Sequence, residues 1–145
     1  QAVNFESKNM HFPDPARPFA EMVRVLRPGG RLVLIDMEAP DERDARDEIE
    51  RLRDPAHVRN LTRAEMQTQF AVHHLMIEQC DTAPMVMKLE TWMAHTHTPA
   101  PVREAIRQRM QTELSGGAKT GFAPYVQDGE ICFNQHWVML VGRKA

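Results

Sequence analysis

Three side chains able to orient or deprotonate a substrate, Arg53, His57 and Arg59, fall in one short run, RLRDPAHVRN at residues 51–60. Guanidiniums hold anionic or enolisable groups, and an imidazole takes a proton near neutral pH. Such residues in a loop are also commonly solvated or tied to helix carboxylates, so a substrate-orienting cluster and a plain surface loop are both open readings. His73 with His74, and His95 with His97, have neither paired cysteines nor the His-x3-His spacing of a helical metal site, so no metal is expected. Asp36 and Met37 close the apolar run LVLI. They stand at the carboxyl end of a strand, where open α/β sheets bind ligands.

The elements that must position these groups are organised around residues 24–37, RVLRPGGRLVLIDM. Phe19, Met22, Val23 and Leu26 recur at i, i+3, i+4 and i+7, one stripe of a helix that stops at Pro28-Gly29-Gly30. The unbroken LVLI that follows suits a strand covered on both faces, as in a parallel sheet flanked by helices. Upstream, Ala2, Val3 and Phe5 support a strand over residues 1–5. Pro13, Asp14 and Pro15 form a turn into a helix starting near Pro18, with Asp14 as its entry cap.

After Asp36, a charged helix is expected over residues 41–53. Its narrow apolar stripe is Ala45, Ile49 and Leu52, with i, i+4 pairs Glu42–Arg46 and Asp47–Arg51 on a solvated face. Thr62 and Glu65 form a capping box between staple positions Leu61 and Met66, opening a helix that runs to about residue 70 or 73. Residues 75–80 alternate as a strand that Asp81 to Pro84 would end. Two helices then fill residues 86–115, one with Leu89, Trp92 and Met93 on a shared face, the other with Val102, Ala105, Ile106, Met110 and Leu114. Asp128-Gly129 is a hairpin signal between strands at 122–126 and 131–133, and residues 136–141 would form a closing antiparallel strand.

The segments MHFPDP at residues 10–15, E..RVLRPGG at 21–30, the strand ending in Asp36 and the run at 51–60 resemble the second half of class I S-adenosylmethionine-dependent methyltransferases. The ubiquinone/menaquinone-biosynthesis-like group is the nearest pattern, with Met10 where the family has His. The resemblance implies an α/β fold: the C-terminal part of a Rossmann-like methyltransferase sheet, with helices inserted between the last strands and a C-terminal β-hairpin. It would place the closing strand between the family's fifth and sixth strands. Residues 1–145 contain no strand-GxGxG-helix pattern, so the chain is expected to be the C-terminal portion of such a domain. The implied reaction passes a methyl group from S-adenosylmethionine to a small-molecule acceptor. His11 and Phe12 would be cofactor-side residues, His11 and His57 candidate bases, and Asp36, Met37, Arg53, Arg59 and Trp92 would line the acceptor, with residues 86–115 as a helical lid. A non-catalytic dimerisation or binding module derived from this fold is the alternative.

At 145 residues one domain is expected. A net charge of −2, with basic and acidic residues alternating, leaves no footprint for nucleic acid. No apolar run approaches the roughly 18 residues of a membrane span. Cys80 and Cys132 lie outside CxxC spacing, which suits reduced thiols in a cytoplasmic protein. A sheet lacking its preceding strands would offer an unpaired edge, so a homodimer through that edge is expected.

Overall fold

The computed structural model of the protein describes residues 2–6, 13–14 and 16–145, the first of these segments by its backbone. In chain order the elements are β1 (Ala2–Glu6), α1 (Ala16–Val25), β2 (Arg31–Met37), α2 (Arg43–Arg53), α3 (Arg63–Val72), β3 (Leu75–Lys88), α4 (Leu89–Ala94), α5 (Ala100–Leu114), β4 (Tyr125–Gln127) and β5 (Glu130–Lys144). The strands form one sheet of order β1-β2-β5-β3, with β4 also on β5. β5 therefore lies between β2 and β3, the insertion that the family pattern implies. The chain divides into two compact units, residues 1–39, 59–83 and 136–145 in the first and 40–58 and 84–135 in the second.

In the first unit β1 runs parallel to β2, with Phe5 opposite Leu34, and β2 runs antiparallel to β5, from Arg31 opposite Arg143 to Met37 opposite Trp137. That mixed environment corrects the expectation of a strand covered on both faces. Leu32, Leu34 and Asp36 are buried, but Val33 and Ile35 on the other face are only half-buried. Phe19, Val23 and Leu26 join Leu32, Leu34, Met66, Phe70 and Leu140 in the core, where the Phe19 and Phe70 rings meet edge-on at 5.2 Å.

Helix α1 begins where Asp14 Oδ1 accepts the Ala16 amide at 3.0 Å, as the cap reading expects. It ends at a left-handed Gly29 (φ 73°). Lys144 closes it from far along the chain, donating its Nζ to the carbonyls of Val23 and Leu26 at 2.8 and 2.9 Å. The capping box of α3 is formed, with Glu65 N to Thr62 Oγ1 at 3.1 Å and Thr62 N to Glu65 Oε2 at 2.9 Å, and both staple residues are buried.

Two strand boundaries differ from the sequence reading. Residues 81–84 do not end β3, which continues to Lys88, so the helical stretch starts at Leu89 rather than Val86. Pro84 is tolerated because β3 stands at the end of the strand order, where a missing donor leaves no ladder bond unmade. The hairpin strand starts at Tyr125, not Phe122: Gly121 (φ 79°) and Ala123 (φ 47°) break the extended chain, and Phe122 turns inward. The two expected strands at 131–133 and 136–141 are one, β5.

The second unit has its own core of Ile49, Leu89, Trp92, Met93, Ile106, Met110, Phe122 and Phe133. Trp92, Phe122 and Phe133 meet pairwise edge-to-face at 4.9–5.3 Å. The stripe of α5 is narrower than its spacing suggests, since Ala105 and Leu114 are exposed. Asp128 (φ 53°) and Gly129 (φ 76°) make the β4–β5 turn, both left-handed as a type I′ hairpin requires.

Candidate functional site

In the second unit, α2 buries charge. The expectation of a solvated charged face fails for Arg46, Asp47 and Glu50, which are 5%, 4% and 0% exposed. The i, i+4 pairs are also different from those expected. Arg46 Nε stands 3.5 Å from Glu50 Oε1, Arg53 Nη2 lies 3.4 Å from Glu50 Oε2, and Asp47 faces His57. Glu42 approaches Lys119 at 3.5 Å, and Arg51 donates to the Val58 carbonyl at 3.2 Å.

The physical reason is the aromatic wall of this core. The Arg46 guanidinium sits 4.0 Å from the Phe122 ring centroid and 5.6 Å from that of Phe133, and Arg53 sits 4.1 Å from that of Trp92. A guanidinium is weakly hydrated and flat, so it stacks on rings at lower cost than an ammonium would. Burial pushes the Arg46 guanidinium below the usual arginine range, while Glu50 and Asp47 act to hold its proton. Arg46 also reaches the Gly121 carbonyl at 3.5 Å, and Arg53 the Trp92 carbonyl at 3.2 Å.

His57 is placed by the turn that precedes it. Asp54 Oδ1 accepts the Ala56 amide at 3.0 Å, and the Asp54 carbonyl accepts the His57 amide at 2.9 Å. The ring then meets Asp47, Nε2 to Oδ1 at 2.8 Å, with both side chains almost wholly buried. A carboxylate on one ring nitrogen fixes the imidazole's orientation and favours the tautomer protonated there. This is the arrangement of a histidine held as a base or hydrogen-bond acceptor at its other nitrogen.

Of the residues singled out in the sequence, the second unit thus brings Arg53 together with Trp92 and pairs His57 with Asp47. Arg59 is not part of that set: it lies in the first unit, half-exposed, 3.9 Å from Glu65. Asp36 and Met37, also in the first unit, are buried, and Asp36 Oδ1 accepts the Met37 amide at 2.8 Å. His11 and Phe12 lie outside the described residues. A hollow of about 470 Å³, lined by Pro13, Asp14, Arg17, Pro18 and Glu21, opens at the start of α1. Among the described residues no three His, Cys, Asp or Glu side chains are grouped to hold a metal ion.

Sequence reasoning missed Arg46, Asp47, Glu50, Phe122 and Phe133. One signal was available: positions 46, 49, 50 and 53 follow the i, i+3, i+4, i+7 spacing of a buried stripe, with Ile49 among them.

The sheet order with β5 inserted beside β2, and the α1-turn-β2 unit at its centre, define the fold of class I S-adenosylmethionine-dependent methyltransferases. Residues 2–34, which span β1, α1 and the first half of β2, match the methyltransferase domain family. The uncharacterized protein YafE of Escherichia coli is 32% identical over 117 residues, 78% of this chain and 56% of that protein. The uncharacterized methyltransferase YcgJ of Bacillus subtilis is 33% identical over 94 residues, 62% of this chain and 37% of that protein. The chain therefore spans about half or less of the curated relatives it matches. The crystal structure of YcgJ superposes on 99% of this chain and 63% of its own, with a TM-score of 0.83 at 24% identity. That of BH2331 from Bacillus halodurans covers 99% and 68%, with a TM-score of 0.82 at 23% identity. At these identities the likeness is one of fold.

Proposed function

We propose that this chain is the acceptor-side portion of a methyltransferase that moves a methyl group from S-adenosylmethionine to a small-molecule acceptor, in the manner of the ubiquinone/menaquinone-biosynthesis-like group. The observation that carries the reading is the coincidence of the matched segment, residues 2–34, with β1, α1 and the first half of β2, the strand that carries Asp36 and ends at Met37. The identity to YcgJ, itself described as a methyltransferase, supports it.

The cofactor supplies a methyl group already activated on a sulfonium, so the protein's main contribution is positioning, worth up to about 7–11 kcal/mol of barrier. Residues 1–145 hold no strand-GxGxG-helix pattern. In this proposal Arg53, braced on the Trp92 ring and Glu50, orients the acceptor's polar group. His57, held by Asp47, takes a proton from an acceptor that must lose one, and His11 is the second candidate for that role. Residues 86–115, in the same unit as Arg53 and His57, serve as the lid of that site. No described helix is long and apolar enough to cross a membrane, and a cytoplasmic location belongs to the same proposal.

Isothermal titration with S-adenosylmethionine tests the reading. The chain extended by the coding sequence that precedes it is expected to bind, and residues 1–145 alone are expected not to. Absence of binding by the extended product overturns the proposal.

A further inference from the structure

We infer that a hollow at the base of the sheet in the first unit is a binding site for an organic carboxylate with an apolar body. The hollow has a volume of about 370 Å³ and is lined by Gly29, His74, Met76, Arg143, Lys144 and Ala145, all residues of that one unit. Its size falls within the range of small-molecule pockets, about 300–1,000 Å³. It opens where β2 begins and β5 ends: Arg31 stands opposite Arg143 in the ladder, and the Gly29 amide donates to the Lys144 carbonyl at 2.9 Å. Asp36 is five residues along β2 from Arg31, about 17 Å at the rise of a strand. The hollow is therefore not the ligand crevice at the carboxyl end of the sheet, and the inference does not depend on the transfer reaction proposed above.

The lining asks for an apolar body. Met76 is 58% exposed, and its flexible thioether adapts to whatever apolar group lies on it. No atom comes within 4 Å of where a side chain at Gly29 would stand, so the backbone there borders open space. His74, left-handed (φ 57°) between α3 and β3, adds a ring with apolar faces and a polar edge. The charges ask for an anionic head. Arg31 and Arg143 are directly opposite, an arrangement like charges disfavour, and they share one carboxylate, Glu78, at 2.7 and 2.8 Å. Arg27 and Lys144 add two positive charges, and a terminal carboxylate at Ala145 would add one negative, so among the described residues four cations face two anions. Glu21 on α1 is matched by Arg24. Asp81, three positions beyond Glu78, faces the other side of β3, where Gln79 donates to it at 2.5 Å. Lys144 turns its Nζ onto the α1 carbonyls. Arg143, 44% exposed with its Nε on Glu78, is left to meet a ligand through its terminal nitrogens. One free guanidinium edge matches one carboxylate.

Titration of the chain with sodium octanoate, followed through its backbone amides by NMR, tests the site. Saturable shifts are expected at Gly29, His74, Met76 and Lys144 in the millimolar range. Acetate, the head group without the tail, and octanol, the tail without the charge, are each expected to bind at least about fivefold more weakly. Arg143→Gln, which leaves Arg31 on Glu78, should weaken octanoate binding about fivefold, and Met76→Ser about as much. Val126→Ser, an apolar change at an equally exposed position in the second unit, should bind as the unaltered protein does. Absence of saturation, or saturable shifts confined to other residues, overturns the proposal. So does acetate or octanol binding as tightly as octanoate, or a loss in Val126→Ser equal to that in Met76→Ser.

Discussion

Replacing Glu50 by Gln should destabilise the protein far more than the same change at the exposed Glu48 of the same helix. Glu50 is fully buried between two guanidiniums, Arg46 at 3.5 Å and Arg53 at 3.4 Å, and both are packed on aromatic rings with little water in reach. Gln keeps the shape and removes the charge, leaving two buried cations with one compensating neighbour, Asp47, already bound to His57. Breaking a buried ion pair from one side costs about 3–5 kcal/mol. On the same helix Glu48 is exposed and bonded to Arg109 at 3.1 Å, and Glu48→Gln should leave the urea midpoint close to that of the wild-type protein. The paired change Arg46→Met with Glu50→Leu removes both ions and should recover most of the loss, because two apolar groups need no compensation. Urea unfolding followed by the fluorescence of Trp92, which is buried against Arg53, reads all four proteins. If Glu50→Gln loses less than about 1 kcal/mol, the charges of α2 are solvated in solution and the buried network is not what holds this core.

Leu34→Ala in β2 should cost about 2–5 kcal/mol by cavity formation, and Ile35→Ala distinctly less because Ile35 is only half-buried; equal urea midpoints for the two would contradict the one-sided burial of the strand. Gly121→Ala should lower the melting temperature well beyond Gly129→Ala. Both glycines are left-handed, but a methyl at 121 would stand 2.7 Å from the Glu42 carbonyl, whereas at 129 nothing lies within 4 Å. Glu90 is held below the ordinary glutamate value of 4.5 by its hydrogen bond from Arg107, against the opposing effect of partial burial. Its contribution is complete above that value and fades as pH falls through the lowered one, so Glu90→Gln should lower the neutral plateau of a stability–pH curve and flatten its acid limb, with the two proteins converging at low pH.

Much of the frame was legible because local rules and tertiary demands agreed. The stripe of α1, the Gly29 stop, the capping box at Thr62 and the Asp128-Gly129 turn each depend on residues close in sequence, and each formed where expected. The errors have a common origin in long-range pairing. Asp81 to Pro84 reads as a strand terminator locally, yet β5 supplies a partner along that side and lets β3 pass through. The charges of Arg46 and Glu50 read as solvent-facing until Phe122 and Phe133, more than seventy residues later, provide rings for a guanidinium to lie on. For the candidate site, Arg53 and His57 could be singled out by residue type, but Asp47 could not, since its partner sits ten positions on and beyond the helix.

The place of β5 in the sheet sets an order of events for the folding chain. β2 and β3 end as neighbours of the same strand but never of each other, and that strand is encoded after both. Until it arrives, β2 has only β1 to pair with, β3 has no partner in the sheet, and α1 lacks the lysine that satisfies its last carbonyls. The pairings that complete the sheet therefore close loops of many tens of residues, the kind of contact that slows folding and leaves edges open meanwhile. A released chain truncated before residue 136 should accordingly be a strong substrate for chaperones, and one that keeps residues 136–144 a poor one.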